Sequence, residues 1–210
     1  MRDQMPADWA RQRLATMRVT AAILMLMCGM HGQAAEHESA WAQAARAHDI
    51  DPVTLYAVAL QESRALWTDG TARPWPWTLR SARDGTQRFG SRTAALEALE
   101  ALLGAGERNI DVGLMQINWG FNGHRVDAPE ALLDPHRNVL VGAEILRDAL
   151  RAHAGDLARA LGAYHHGPDT ERGRAYSAEV RRRIHALRSV AGLRRRLTDP
   201  PPSADGGVPR

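Results

Sequence analysis

Asp followed by Pro, at the head of an apolar-periodic stretch, occurs twice in this chain: Asp51-Pro52 and Asp134-Pro135. The Asp carboxylate accepts from the free N–H groups of a first helical turn, and Pro has no N–H to lose there. Each pair therefore starts a helix and forbids one from running through it. Behind the first, a helix is predicted from Val53 to about Arg64. Behind the second, one is predicted over 136–152, with Val139, Ala143, Leu146 and Leu150 on one stripe. The same spacing predicts helices from Glu38 to Ala47 (Trp41, Ala44 and Ala45 on one face) and from the Ser91 cap to about Leu103 (Ala95, Leu96, Leu99, Leu103). Two more run from Asp156 to Ala163 and from about Tyr176 to Leu193. Residues 67–90 differ: Gly, Pro and aromatic residues surround Asp84-Gly85, a hairpin turn signal. Residues 104–127 read as loop around the apolar run DVGLMQIN. The expected fold class is mainly α, with a small β-hairpin excursion. At 210 residues and 44% hydrophobic, the chain can bury the core of one domain.

Charge divides the chain into three parts. Every basic residue is Arg; residues 1–34 balance to +2, 35–171 to −6 and 172–210 to +7. An acidic middle is the wrong sign for a phosphate-backbone groove, so nucleic acid is not an expected partner. In the first part, Arg11, Arg13 and Arg18 precede the apolar run Val19 to Met30, and Gly32-Gln33-Ala34 offers a small-x-small cleavage site. This reads as a signal peptide over 1–34, placing the mature protein in the periplasm; an uncleaved anchor is the alternative. The run is shorter than the roughly 20 residues a bilayer span needs, so no stable membrane span is expected after its removal. Cys28 is the only cysteine, which excludes a disulfide framework and a multi-Cys zinc site, and the bulky Met27 before it argues against a lipoprotein. The main domain is assigned to 35–171. A basic helix over 172–193 packs on it or extends it, and Pro200 to Pro202 with Gly206-Gly207 mark 194–210 as a disordered tail.

Three places carry chemistry. Leu55, Val58 and Ala59 lie seven, four and three residues before Glu62, which puts that carboxylate on the apolar face of its helix. Desolvation there raises the pKa, as a general acid requires; a snorkelling Glu, or one paired with an Arg, is the plainer reading. In Gly113-Leu114-Met115-Gln116-Ile117-Asn118 two amides interrupt an apolar run. Amides suit the reading of neutral sugar hydroxyls and N-acetyl groups, and Gly113 admits close backbone approach; a buried turn is the alternative. The third place is Ala163-Tyr164-His165-His166-Gly167, where a Tyr hydroxyl can orient an acid. Adjacent His residues on a helix do not chelate one ion, so neither a metal nor any other cofactor is expected. Asp111 is the one rival carboxylate near these places, with a turn or cap role as its alternative. Of Trp67, Trp75, Trp77 and Trp119, one or two are expected to reach a sugar-binding groove.

Taken in order, Glu62-Ser63, Gly113-Leu114-Met115-Gln116 and Ala163-Tyr164-His165 resemble the motifs of the soluble lytic transglycosylase (SLT) family, the goose-lysozyme-like branch of the lysozyme superfamily. Asn138, Gly142 and Leu146 match a further pattern of that family, and the resemblance spans Trp41 to Gly167. The departure is His165, where the family usually has Asn. The resemblance implies a lysozyme-like α+β fold and cleavage of the MurNAc-β-1,4-GlcNAc bond of peptidoglycan glycan strands, with closure of a 1,6-anhydro ring. It implies Glu62 as catalytic acid and then base. It implies a groove lined by Ser63, Gly113, Leu114, Met115, Gln116 and Asn118, with Tyr164 holding Glu62 or the substrate. Small members of the family serve envelope-spanning secretion, conjugation or pilus systems, which implies such partners here. Two alternatives stay open on the residues alone: a hydrolytic muramidase using Asp111, and a low-turnover glycan-binding assembly factor.

Overall fold

A computed structural model describes residues 39–67 and 70–189. The leader, Cys28 and the 194–210 tail lie outside the described residues. The described residues form seven α-helices and two small antiparallel sheets. The helices are α1 (Ala40–His48), α2 (Pro52–Ser63), α3 (Arg92–Gly104), the single turn α4 (Trp119–Asn122), α5 (Pro135–Ala152), α6 (Leu157–His165) and α7 (Glu171–Ser189). Strands β1 (Arg64–Leu66) and β2 (Ala72–Pro74) pair with each other. A second sheet runs in the order β4-β3-β5-β6, from β3 (Thr78–Ser81), β4 (Gly85–Arg88), β5 (Ile110–Val112) and β6 (Ile117–Asn118). The fold is mainly α with a small β element.

The capping residues explain where the helices begin. Side chains of Asp51, Ser91, Asp134 and Asp156 each accept from a backbone N–H of the first turn, with Pro52 and Pro135 inside the starts of α2 and α5. Ser39 does the same for α1. α2 is the central helix, since Leu55, Ala57, Val58 and Ala59 have no exposed surface. A helix buried on nearly all sides needs neighbours on every face. Here α1, α5, α7 and β2 supply them.

Three elements differ from the sequence reading. The DVGLMQIN run is not loop: β5 and β6 form a hairpin with Gly113–Gln116 as its turn, which joins β3 through Gly113 N–H and the Thr78 carbonyl. The apolar Leu114 and Met115 conceal that turn in the sequence, because both are buried by packing from beneath rather than by strand alternation. The hairpin around Asp84-Gly85 forms as expected, with Gly85 at φ +69°, but β1 and β2 precede it. The last helix begins at Glu171, five residues before Tyr176, which makes Tyr176 an interior position of α7.

Candidate active site

The turn Gly113–Gln116 is suspended from three helices. Asn138 of α5 is fully buried; its Nδ2 donates to the carbonyls of Val112 (2.8 Å) and Leu132 (2.9 Å), and its Oδ1 accepts from Met115 N–H (2.8 Å). Every polar hydrogen of that amide is used, as a buried amide requires. The Ser63 hydroxyl at the end of α2 donates to the Leu114 carbonyl at 2.7 Å. The Tyr164 hydroxyl on α6 donates to the Met115 carbonyl at 2.8 Å. Gly113 stands at φ +82°, and a Cβ there would fall 2.3 Å from Asn138 Nδ2. Gly142 of α5 is equally constrained, since its Cβ would fall 2.7 Å from Met115 Cγ.

This suspension changes the reading of four residues. Ser63, Gly113, Leu114 and Met115 are buried and do not line the cleft. They hold the floor of the cleft in place. Gly113 is small for Asn138 rather than for a substrate. Tyr164 does line the cleft, but its hydroxyl is bonded to the floor and not to Glu62.

Glu62 sits on the last turn of α2, partly buried. The hydroxyl that reaches it belongs to Tyr176 of α7, donating to Oε1 at 2.6 Å. Burial pushes the Glu62 carboxyl up to about 7; Tyr176 opposes that by favouring the anion, Asp111 reinforces it by like charge, and Arg80 opposes it. Both Tyr164 and Tyr176 are held well above the ordinary phenol range by burial and by the Glu62 charge, so both remain donors. His165 lies flat on the Tyr176 ring, with centroids 4.4 Å apart and planes 7° from parallel. Its imidazole is pushed below the usual histidine range by burial first, then by His166 and Arg80.

Glu62, Gln116, Asn118 and Tyr164 line one cleft of about 670 Å³, together with Arg80, Asp111, Asn109, Phe121, Asn122 and His165. A second hollow of about 350 Å³, bounded by Gln61, Arg172, Tyr176 and Glu179, also reaches Glu62. One cleft wall is a polar ladder across three strands. Arg80, Asp111 and Asn118 are register partners; Arg80 pairs with Asp111 at 3.2 Å, and Asn118 Nδ2 donates to Asp111 at 2.8 Å and to Asn109 at 2.7 Å. Asp111 thus has no turn or cap role; it is a sheet residue with both oxygens engaged. Asn118 Oδ1 accepts from Phe121 N–H at 3.1 Å and caps α4. Gln116 donates through Nε2 to the carbonyls of Thr78 (3.1 Å) and Gly113 (2.9 Å).

Of the four tryptophans, one or two of which were expected at a groove, none lines the cleft. Trp75 and Trp77 are buried, and Trp67, Trp75 and Trp77 form an edge-to-face series with centroids 5.0 and 5.7 Å apart. They make the core beneath the strands. Phe121, 79% exposed, is the aromatic residue that stands open at the cleft, which Tyr164 and His165 also line. Sequence reasoning passed over Tyr176, Arg80, Phe121 and Asn122. For Tyr176 a signal was present: Gly173, Tyr176, Ser177, Val180 and Ile184 form the buried stripe of an otherwise Arg-rich helix, and a hydroxyl on such a stripe needs a partner. Among the described residues no group of three or more His, Cys, Asp or Glu side chains gathers as metal ligands would, and no helix is long and apolar enough to cross a membrane.

Residues 87–184 match the family described as Transglycosylase SLT domain. The matched segment includes the Gly113–Gln116 turn, Asn138, Tyr164 and Tyr176, and begins beyond Glu62. No curated protein and no solved structure matches the chain.

Proposed function

We propose that this chain, which carries a lytic transglycosylase SLT domain of the lysozyme-like superfamily, cleaves the MurNAc-β-1,4-GlcNAc bond of peptidoglycan without water. The observation that carries the reading is the condition of Glu62: a partly buried carboxyl in the cleft, bonded by Tyr176 at one oxygen and pushed up to about 7. Such a group is available as acid and as base at neutral pH. In the first step Glu62 gives its proton to the glycosidic oxygen, the C1–O bond breaks, and an oxocarbenium-like sugar forms. In the second the ionised Glu62 takes the proton of the sugar's own C6 hydroxyl while O6 bonds to C1. The carboxyl ends protonated as it began. The nucleophile is intramolecular, so its effective concentration is high and the protein need not supply one.

Digestion of purified peptidoglycan followed by mass spectrometry of the muropeptides tests this. Products lacking one water relative to reducing-end muropeptides are expected. Reducing ends without anhydro products would establish a hydrolytic muramidase instead. That second reading draws on Asp111, which lines the same cleft. Its oxygens are engaged by Arg80 and Asn118, which suits setting the charge around Glu62 better than activating a water. The Asp111→Asn variant is expected to keep most activity and to yield anhydro products only.

Export to the periplasm belongs to the same proposal, supported by Arg11, Arg13 and Arg18 before the Val19 to Met30 run. So does a role in opening the wall locally for a secretion, conjugation or pilus machine, supported by the small domain and the Arg-rich segment from Arg172. Loss of machine assembly in a Glu62→Gln strain, with bulk wall turnover unchanged, is the expected result.

A further inference from the structure

Phe121 and Leu66 are the two large hydrophobic side chains left exposed among the described residues, at 79% and 55%. Leu66 borders neither hollow; Phe121 lines the Glu62 cleft. A phenyl ring so open to water has no core role, and its backbone is held with unusual care. Asn118 caps its N–H, and Asn118 is itself tied to Asp111 and Asn109. A Cβ on Gly120 would fall 2.8 Å from the Arg108 carbonyl, and one on Gly123 would fall 2.9 Å from the Trp119 ring. Gly120 therefore lets this short helix lie close to the Arg108 carbonyl, and Gly123 makes room for the Trp119 ring, with Trp119 packed against the core and Phe121 lining the cleft.

Asn122 follows directly and lines the same cleft. It stands at the start of the next 3-10 turn yet makes no side-chain capping bond. Asn109, which lines the same cleft, accepts from Asn118 through Oδ1. An open aromatic face next to amides fits one class of ligand well. A pyranose ring presents an apolar C–H face to stack on the ring, and hydroxyl and acetamido edges for amides to bond.

We propose that Phe121 and Asn122 form a sugar-stacking subsite of the Glu62 cleft, taking an N-acetylhexosamine ring of the glycan strand. The proposal rests on the glycan-cleaving reading and adds a binding site to it. It also reassigns Asn118, from a sugar contact to the cap that aims the platform.

The test uses the full chain carrying Glu62→Gln, so that turnover does not consume the probe, and a β-1,4-linked N-acetylglucosamine hexamer titrated by calorimetry. Phe121→Ala in that background is expected to bind about tenfold more weakly, the effect of uncovering roughly half a ring's apolar surface. Phe121→Trp is expected to bind at least as tightly as the parent, and Leu66→Ala to match it. Asn122→Ala is expected to weaken binding severalfold. Equal affinity of Phe121→Ala and the parent would overturn the subsite while leaving the glycan reading standing. A parent that binds no hexamer would overturn both. Phe121 is exposed, so its variants keep the fold, and circular dichroism checks that.

Discussion

Replacing Tyr176 with Phe removes one hydroxyl and leaves the ring stacked under His165. The lost contact is the 2.6 Å bond to Glu62 Oε1, which favours the ionised carboxyl and so restrains the rise that burial causes. A hydrogen bond to a charged acceptor contributes about 1.5–3 kcal/mol, against about 0.5–1.5 kcal/mol to a neutral one. The difference, roughly 1–1.5 kcal/mol, corresponds to about one pKa unit. Glu62 then moves from about 7 to roughly 8. A general acid works while protonated, so the fall of kcat/KM on the alkaline side should move up by about one pH unit. The plateau rate should drop severalfold, because Oε1 has lost its anchor. The assay is the release of soluble fragments from labelled peptidoglycan between pH 5 and pH 9, with the carboxyl of Glu62 followed by carbon NMR as an independent titration. An alkaline limb that stays in place, or moves to lower pH, would refute the assignment of Tyr176 as the group that sets this acid.

Three further outcomes follow from the same geometry. Glu62→Gln should lose at least about a hundredfold in activity. It should also gain stability above pH 7: a carboxyl at about 7 in the folded state against 4.5 unfolded makes the fold lose up to about 3 kcal/mol as pH rises through that window, and the amide removes the loss; chemical denaturation at pH 5 and pH 8 checks it. His165→Ala should lower kcat with little change in KM and move the alkaline limb upward in part, whereas His165→Phe, which keeps a stacked ring, should behave like the wild type in the same pH series. Gly113→Ala should destabilise by about 3 kcal/mol, combining a left-handed backbone with a Cβ driven into Asn138, as read by thermal unfolding.

What the sequence made legible follows the range of each interaction. Helix starts at Asp51, Ser91, Asp134 and Asp156 are encoded within three residues, and each cap forms. The raised pKa of Glu62 was legible for a similar reason, since the apolar face of α2 is a local pattern. Tyr176 was not, because it meets Glu62 across 114 residues of chain. Ser63 and Met115 were misread as groove residues because a motif shows that positions belong together and not which way they face. Ser63 turns inward to the Leu114 carbonyl, and Met115 fills the space Gly142 leaves. The tryptophans mislead in the opposite direction: rings suited to sugar faces are used to fill the core, and the exposed ring is a Phe on a four-residue helix.

The suspension of the Gly113–Gln116 turn has a consequence for how the molecule matures. Its hydrogen bonds to Asn138, Tyr164 and Ser63 close chain separations of 23, 49 and 51 residues. No fragment of the chain contains the floor, the acid and the Tyr176 hydroxyl together until α2, α5, α6 and α7 have all docked. Contacts of such separation form late, after the loop-closure entropy between them has been overcome. The assembled cleft is therefore expected only with the last cooperative step of folding, and opening any one of the four helices is expected to dissolve the site before it dissolves the fold. On the proposed function, a newly made or partly unfolded chain is expected to be inert toward glycan strands, so that activity gauges complete folding.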